Sequence, residues 1–154
     1  MLLGDTHMPR GERRLPSECV RLLEAASLVL HVGDVTSSAV LEELRRLAPV
    51  EAVRGNMDEP SLAAALPERR VVEAEGLRLG LVHDAGPARE RHSRLRRWFP
   101  DCDVVAYGHT HLPEIARHEE VWIVNPGSPT ERRRAPGHTM ALVRDGEPVL
   151  VALD

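Results

Sequence analysis

The sequence predicts an α/β protein that forms a single domain over residues 1–154. Up to residue 56, short apolar runs alternate with amphipathic segments in the order β-α-β-α-β, which is typical of a parallel sheet. Beyond residue 68, apolar runs follow one another with one helical segment among them, which indicates a second, largely antiparallel sheet packed on the first. At 154 residues and 42% hydrophobic content, the chain is long enough to bury a substantial core.

The first half contains two predicted helices and two clear strands after the N-terminal residues. Residues 17–26 and 37–48 carry apolar side chains at helical spacing. The run at 27–34 is rich in β-branched and aliphatic residues and ends in Gly-Asp, and the run at 50–56 ends in Gly-Asn. Each strand therefore leads directly into a turn that carries a polar side chain.

The second half is predicted to consist mainly of strands. Residues 69–75 and 77–83 resemble a hairpin around Gly76, residues 88–99 a helix, and residues 103–109 a buried strand. The remaining strand-like segments are 113–119, 121–125, 138–145 and 147–154.

Composition excludes several classes of function. The net charge of −4 does not favour strong nucleic-acid binding, and all 20 basic residues are arginine, so Schiff-base and P-loop lysines are excluded. Cys19 and Cys102 lack metal-binding spacing and indicate buried thiols in a reducing compartment. The sequence shows neither a signal-peptide core nor an apolar run of membrane length, so we expect a cytoplasmic protein without a membrane partner. Homo-oligomerisation stays open.

Seven residues have side chains suited to binding metal ions and follow the ends of predicted strands. These metal-type residues are Asp5, His7, Asp34, Asn56, His83, His109 and His111. Because open α/β sheets gather ligands at the carboxyl edge of their strands, we expect these side chains to meet there. Carboxylate, amide and imidazole donors suit manganese, iron, zinc or magnesium, and two such ions can activate water and bind a phosphoryl group.

Each motif also has an explanation without function. An Asp-x-His tripeptide alone is weak, Gly-Asp and Gly-Asn are common turn dipeptides, and GHTH at 108–111 could be an ordinary strand-to-turn segment. The complete ordered set is much harder to explain in this way. The sequence therefore favours a metal centre.

The order D-x-H, GD, GN, H and GHxH resembles that of the calcineurin-like metallophosphoesterases. The small size and NPGSP at 125–129 resemble their compact YfcE-type phosphodiesterase branch. The resemblance implies a four-layer α/β/β/α sandwich with two facing mixed β-sheets. It also implies two divalent metal ions, Mn²⁺ first, with Fe, Zn, Ni, Co or Mg as alternatives. One ion would be held by Asp5, His7 and His111, the other by Asn56, His83 and His109, with Asp34 bridging both.

The predicted function is metal-dependent hydrolysis of a phosphodiester in a small substrate, through a hydroxide that bridges the two metals. The predicted catalytic residues are Asp34, Asn56, His83 and His109, with Asp58 as a further candidate. The predicted substrate-binding residues are Asn56, Ser128 and Arg132. A phosphomonoesterase or nucleotide phosphatase is one alternative. A non-catalytic scaffold, like the metallophosphoesterase-like subunit of the eukaryotic retromer coat, is another.

The chain departs from the family pattern at three places. Many relatives have a histidine after the GN asparagine that assists the leaving group, but here Met57 cannot transfer a proton. The leaving oxygen would depart unaided, take a proton from water, or use Asp58 or Asp84, so we expect activity biased towards good leaving groups. At the fourth ligand site, Asp84 replaces a common glycine. Only Leu2 and Leu3 precede the first motif, so the first strand is clipped or the assigned start is late.

Overall fold

The computed structural model describes residues 1–153, so Asp154, the last residue of the predicted strand 147–154, lies outside the described residues. The four helices within this range are α1 (Ser17–Glu24), α2 (Ser38–Leu47), α3 (Pro60–Ala65) and α4 (Arg91–Trp98). The ten strands are β1 (Leu2–Leu3), β2 (Val29–His31), β3 (Val50–Ala52), β4 (Arg69–Ala74), β5 (Leu77–Val82), β6 (Val104–Tyr107), β7 (Glu114–His118), β8 (Val121–Asn125), β9 (His138–Arg144) and β10 (Glu147–Leu153). Within residues 1–153, no helix has the length and apolar character needed to cross a bilayer.

The strands form two mixed five-stranded sheets. The first has the order β10-β9-β1-β2-β3, in which β1, β2 and β3 run parallel and β9 and β10 are antiparallel neighbours. The second has the order β4-β5-β6-β8-β7, with a parallel centre of β5, β6 and β8 and an antiparallel strand at each edge. This arrangement confirms the two mixed sheets that the family resemblance implied.

The topology corrects one expectation drawn from strand patterns. The chain after residue 68 does not form a separate, largely antiparallel sheet, because β9 and β10 complete the first sheet and the second sheet is parallel at its centre. Helix α4 connects β5 to β6 and makes their parallel pairing feasible, as parallel neighbours require a long crossover. Fully buried strands such as β6 are typical of parallel pairing, but strand type alone does not reveal the partner.

Three apolar clusters separate four layers. Leu30 and Val124 belong to the cluster between the facing sheets. Leu23 and Leu44 belong to the cluster beneath α1 and α2 on the outer face of the first sheet. Leu95 belongs to the cluster beneath α4 on the outer face of the second sheet. The order of layers is therefore α/β/β/α.

The short first strand is central to the first sheet. Leu2 and Leu3 pair with Leu30 and His31 of β2, and Leu2 also pairs with Ala141 of β9. Successive strand residues face opposite sides, so Leu2 enters the core between the sheets and Leu3 the core beneath the helices. Both leucines are completely buried.

Candidate metal centre

The seven metal-type residues follow the carboxyl ends of parallel strands in both sheets. They come after β1 (Asp5, His7), β2 (Asp34), β3 (Asn56), β5 (His83) and β6 (His109, His111). Their side chains contact one another in one continuous cluster. The structure therefore brings together all seven residues that the sequence singled out.

One part of the cluster contains Asp5, His7 and His111. The Nε2 atoms of the two histidines lie 3.2 Å apart, and Asp5 Oδ1 lies 3.4 Å from His111 Nε2 and 3.9 Å from His7 Nε2. All three residues are completely buried. Their donor atoms are close enough together to surround one ion.

The other part contains Asn56, His83 and His109. Asn56 Oδ1 lies 2.9 Å from His83 Nε2 and 3.0 Å from His109 Nδ1. His83 is buried and His109 half-buried, whereas Asn56 is exposed. This part of the cluster therefore opens towards solvent.

Asp34 lies between the two parts. Its Oδ2 atom is 3.4 Å from His7 Nε2 and 3.3 Å from His83 Nε2, while Oδ1 accepts a hydrogen bond from the Met57 amide at 2.7 Å. The Met57 amide thus fixes one oxygen and leaves the other facing both groups of donors. A carboxylate that bridges two metal ions must lie between their two groups of donors, as Asp34 does here.

The backbone at the cluster is strained. Asp5, His7, Asp34, His109 and His111 all have φ between 45° and 69°, a region that non-glycine residues rarely adopt. Such residues cluster at functional sites, where the surrounding structure holds them in place. Hydrogen bonds from Asp5 N to Gly33 O and from His7 N to Asp34 O, at 3.0 and 3.1 Å, tie the first loop to the second.

The donor atoms fit a bound cation. His83 Nδ1 and His111 Nδ1 lie 2.8 and 2.5 Å from the carbonyl oxygens of Val32 and Glu131, which can only accept, so each Nδ1 carries a proton. Burial lowers the pKa of His111 to about 4, so in this neutral ring Nε2 presents its lone pair towards His7 Nε2 and Asp5 Oδ1, a contact that a cation between them would relieve. Ligands about 2.0–2.2 Å from one ion are at most about 4.4 Å apart, and the distances within each group meet that limit.

Burial and charge perturb the titration of both carboxylates. Burial raises the pKa of Asp5 to about 7, and the charge of Asp34 adds to this effect. Burial also disfavours ionisation of Asp34, but the hydrogen bond and charge of His83 outweigh it and hold the pKa of Asp34 below its ordinary value. Asp5 is therefore a buried carboxyl group without enough compensating charge, and a bound cation would stabilise its ionised form.

His31 supports the cluster from behind. Its Nδ1 accepts from the Gly33 amide at 3.2 Å, and its Nε2 lies 3.3 Å from the Thr6 hydroxyl, which donates to Asp34 O. Burial lowers the pKa of His31 to about 3, so the ring is neutral. His31 is therefore a buried, neutral residue that supports the loops carrying Asp5 and Asp34.

The candidates outside the cluster have mainly structural contacts. Asp58 accepts from the Thr36 and Gly55 amides, both at 2.7 Å, which occupies both carboxylate oxygens. Ser128 is buried and donates to Asp5 O at 2.7 Å, so it ties its loop to the first motif. Arg132 is exposed and contacts Pro136 O.

Two residues beside the cluster, Glu131 and Arg13, were missed by the sequence interpretation, which expected an arginine of the run 132–134 near the metals and named Arg132. Glu131 Oε2 lies 3.8 Å from His7 Nε2, Arg13 pairs with Glu131, and Arg133 Nη1 lies 3.4 Å from His109 O. A run of three arginines gave no indication which one faces the cluster, and Arg13 lies in a loop without a recognisable motif. The contacts identify Arg133, rather than its neighbour Arg132, as the arginine of the run that reaches the cluster.

Comparison with known proteins agrees with this geometry. Residues 1–145 match the model of the calcineurin-like phosphoesterase superfamily domain. The chain is 40% identical over 152 residues to a probable metallophosphoesterase of Methanothermobacter thermautotrophicus, covering 96% of this chain and 88% of that protein.

Solved structures show the same fold. A single mutant of Vps29 from Entamoeba histolytica is similar with a TM-score of 0.77 at 25% identity, covering 99% of this chain and 98% of that one. A structure described as a novel archaeal phosphodiesterase gives a TM-score of 0.78 at 21% identity, with coverage of 99% and 98%. With the family match over most of its length, the chain belongs to the calcineurin-like phosphoesterase superfamily.

Proposed function

We propose that this protein hydrolyses phosphodiesters with two divalent metal ions, Mn²⁺ being the first choice. The observation that carries the proposal is the position of Asp34 Oδ2, 3.4 Å from one group of donors and 3.3 Å from the other. When bound, two such ions lower the pKa of a water molecule and stabilise the charge that develops on the phosphoryl group. Asp5, His7 and His111 would hold one ion, and Asn56, His83 and His109 the other.

The residues of the chain orient the donors and supply the surrounding electrostatics. The Val32 and Glu131 carbonyls fix the ring orientation of His83 and His111, as carbonyl partners commonly do for metal-binding histidines. The His109 amide donates to Asp5 Oδ2 at 3.0 Å, which fixes the first carboxylate. Asn56 and His109 are the more exposed donors and would meet the substrate from solvent.

The two residues that follow Asn56 offer no free acid that could protonate the leaving group of a substrate. Met57 is 41% exposed, and both oxygens of Asp58 are occupied by backbone amides. A cavity of about 210 Å³ beside Asn56 and His83 is also lined by Asp84, whose Oδ1 accepts from the Gly86 amide. Glu68 is the other carboxyl group that lines this cavity, and it pairs with Arg54 at 3.0 Å, which leaves Asp84 as the candidate to assist a leaving group there.

A non-catalytic scaffold is the second candidate, because the Vps29 structures share the fold. In this chain, the burial and mutual contacts of Asp5, His7, Asp34 and His111 favour metal binding. Because a Vps29 structure from Entamoeba histolytica is described as a complex with Zn²⁺, metal binding alone does not separate the two candidates, and hydrolysis must decide between them.

Elemental analysis of the purified protein, followed by hydrolysis assays with each candidate metal, tests the proposal. We expect about two ions per chain and a higher kcat/KM for bis(p-nitrophenyl) phosphate than for p-nitrophenyl phosphate. A higher kcat/KM for the monoester would instead identify a phosphomonoesterase. Absence of bound metal, or of hydrolysis with every metal, would favour the scaffold.

A further inference from the structure

Two arginines from distant parts of the chain converge on one carboxylate beside the metal centre. Arg13 Nη2 lies 2.9 Å from Glu131 Oε1, and Arg133 Nε lies 3.8 Å from Glu131 Oε2. Two guanidinium groups share a single carboxylate, so this trio carries one positive charge in excess. The side chains of Arg13 and Arg133 are 28% and 45% exposed, so a ligand can reach both.

The trio borders the metal-type residues directly. Glu131 Oε2 lies 3.8 Å from His7 Nε2, and Arg133 Nη1 donates to His109 O at 3.4 Å. The Glu131 carboxylate lies between His7 and Arg133 and neutralises one of the two guanidinium charges. The remaining positive charge favours an anionic group of a bound substrate next to the phosphoryl group that the metals would hold.

The residue type points to phosphate. A guanidinium presents a rigid fork of donors that binds phosphate oxygens in pairs. The contact of Arg133 Nη1 with His109 O keeps this side chain beside the metal-type residues. Two guanidinium groups at this place form a suitable site for a phosphate group.

Space for the rest of such a substrate lies next to Arg13. This arginine also lines a cavity of about 520 Å³ between the loop that follows β1 and helices α1 and α2. Val20, Val40 and Leu47 form part of its wall. A cavity of this size can hold a group as large as a nucleoside.

We propose that Arg13 and Arg133 form a subsite for a second phosphate group, so that the preferred substrates are phosphodiesters that carry a further phosphate. Glu131 orients the two arginines in the absence of substrate. The proposal rests on the proposed function, because the metals must hold the first phosphate. It adds a preference for a second phosphate group on the substrate, which the two metals alone would not produce.

Two p-nitrophenyl esters of thymidine 5′-phosphate, one with and one without a 3′-phosphate, test the subsite by hydrolysis. In the Mn²⁺-loaded parent we expect the 3′-phosphate to raise kcat/KM about ten-fold, the scale of one charge-assisted hydrogen bond. Arg13→Gln and Arg133→Gln should each remove most of this gain, measured within each variant as the ratio of kcat/KM for the two esters. Arg134→Gln, the same change of charge at an exposed position of the same loop, should keep the gain.

Calorimetry provides a readout that does not depend on turnover. Thymidine 3′,5′-bisphosphate should bind the loaded parent about ten-fold more tightly than thymidine 5′-monophosphate, and the two variants should lose this difference. If binding discriminates but neither ester is hydrolysed, the subsite stands and the proposed function fails. If the parent shows no preference, or if the variants lower the melting temperature and leave the preference intact, the trio only fastens two loops together and the subsite proposal is wrong.

Discussion

Replacement of Gly55 by alanine tests how closely the second and third motifs approach each other. A Cβ atom at this position would lie 2.8 Å from Asp34 Cα and still closer to the Asp34 backbone nitrogen and Oδ1. Two of these three atoms belong to the backbone, so a rotation of the Asp34 side chain cannot relieve the overlap. Gly55→Ala must therefore displace the loop that carries Asp34 or the turn that carries Asn56.

The expected cost follows from the overpacking of buried sites. Added atoms in a tightly packed region destabilise by about 1–3 kcal/mol. For a chain of this length, each kcal/mol lowers the melting temperature by about 2–4 °C, so Gly55→Ala should melt about 2–12 °C below the parent. Because Asp34 Oδ2 faces both His7 and His83, the displacement should also reduce the metal bound per chain.

Gly137→Ala is the matched control. Its added Cβ has no heavy atom of the described residues 1–153 within 4 Å, and its φ is not in the left-handed region. Thermal unfolding and elemental analysis of both variants, with and without added Mn²⁺, make the comparison. The reasoning is refuted if Gly55→Ala melts as the control does and retains the metal content of the parent.

Three further outcomes are expected. Asp34→Asn should keep the fold, because its amide oxygen can still accept from the Met57 amide, but should lower metal occupancy and abolish hydrolysis; unchanged turnover would refute the bridging position. Because Met57 offers no proton, rates across a series of aryl and alkyl phosphodiesters should fall steeply as the leaving alcohol becomes more basic, and a flat series would indicate another acid. Since the pKa of His31 is about 3 in the folded state and about 6.5 when unfolded, only the unfolded state gains this proton as the pH falls below 6.5. Urea unfolding in chelator should therefore show that, between pH 6.5 and 5, the free energy of unfolding of the metal-free parent falls by about 1.6 kcal/mol more than that of His31→Gln, and parallel losses would contradict this pKa.

The sequence predicted well which side chains meet at the sheet edge, because they follow strand ends. Asp34 and His83 lie on different sheets, yet each comes after a parallel strand, and both sheets present that edge to the same side. The alternation of strands and helices predicted the class of fold, because it too is visible in short stretches of sequence. Motif order and strand ends together were therefore sufficient to predict that these seven side chains cluster.

The features of the fold and the site that the sequence did not predict depend mostly on contacts between residues far apart in the chain. Strand β9 pairs with β1, although the two lie near opposite ends of the chain. No local sequence pattern indicates which strand β9 will pair with. Helix α3 has six residues, too few for a helical period to be recognised. Glu131 and Arg13 meet across 118 residues, so their contribution to the site became visible only in three dimensions.

Because both sheets supply candidate donors, a metal ion bound by them would also cross-link the two sheets. Asp5, Asp34 and Asn56 extend from one sheet and His83 and His109 from the other, so an ion bound by both sets resists separation of the two halves of the sandwich. An unfolded chain cannot assemble these donors, so binding adds directly to the free energy of unfolding. At a free metal concentration of about 100 times Kd this contribution is about 2.7 kcal/mol for one ion. The resistance of the fold to heat and to proteolysis should consequently follow the metal supply of its surroundings.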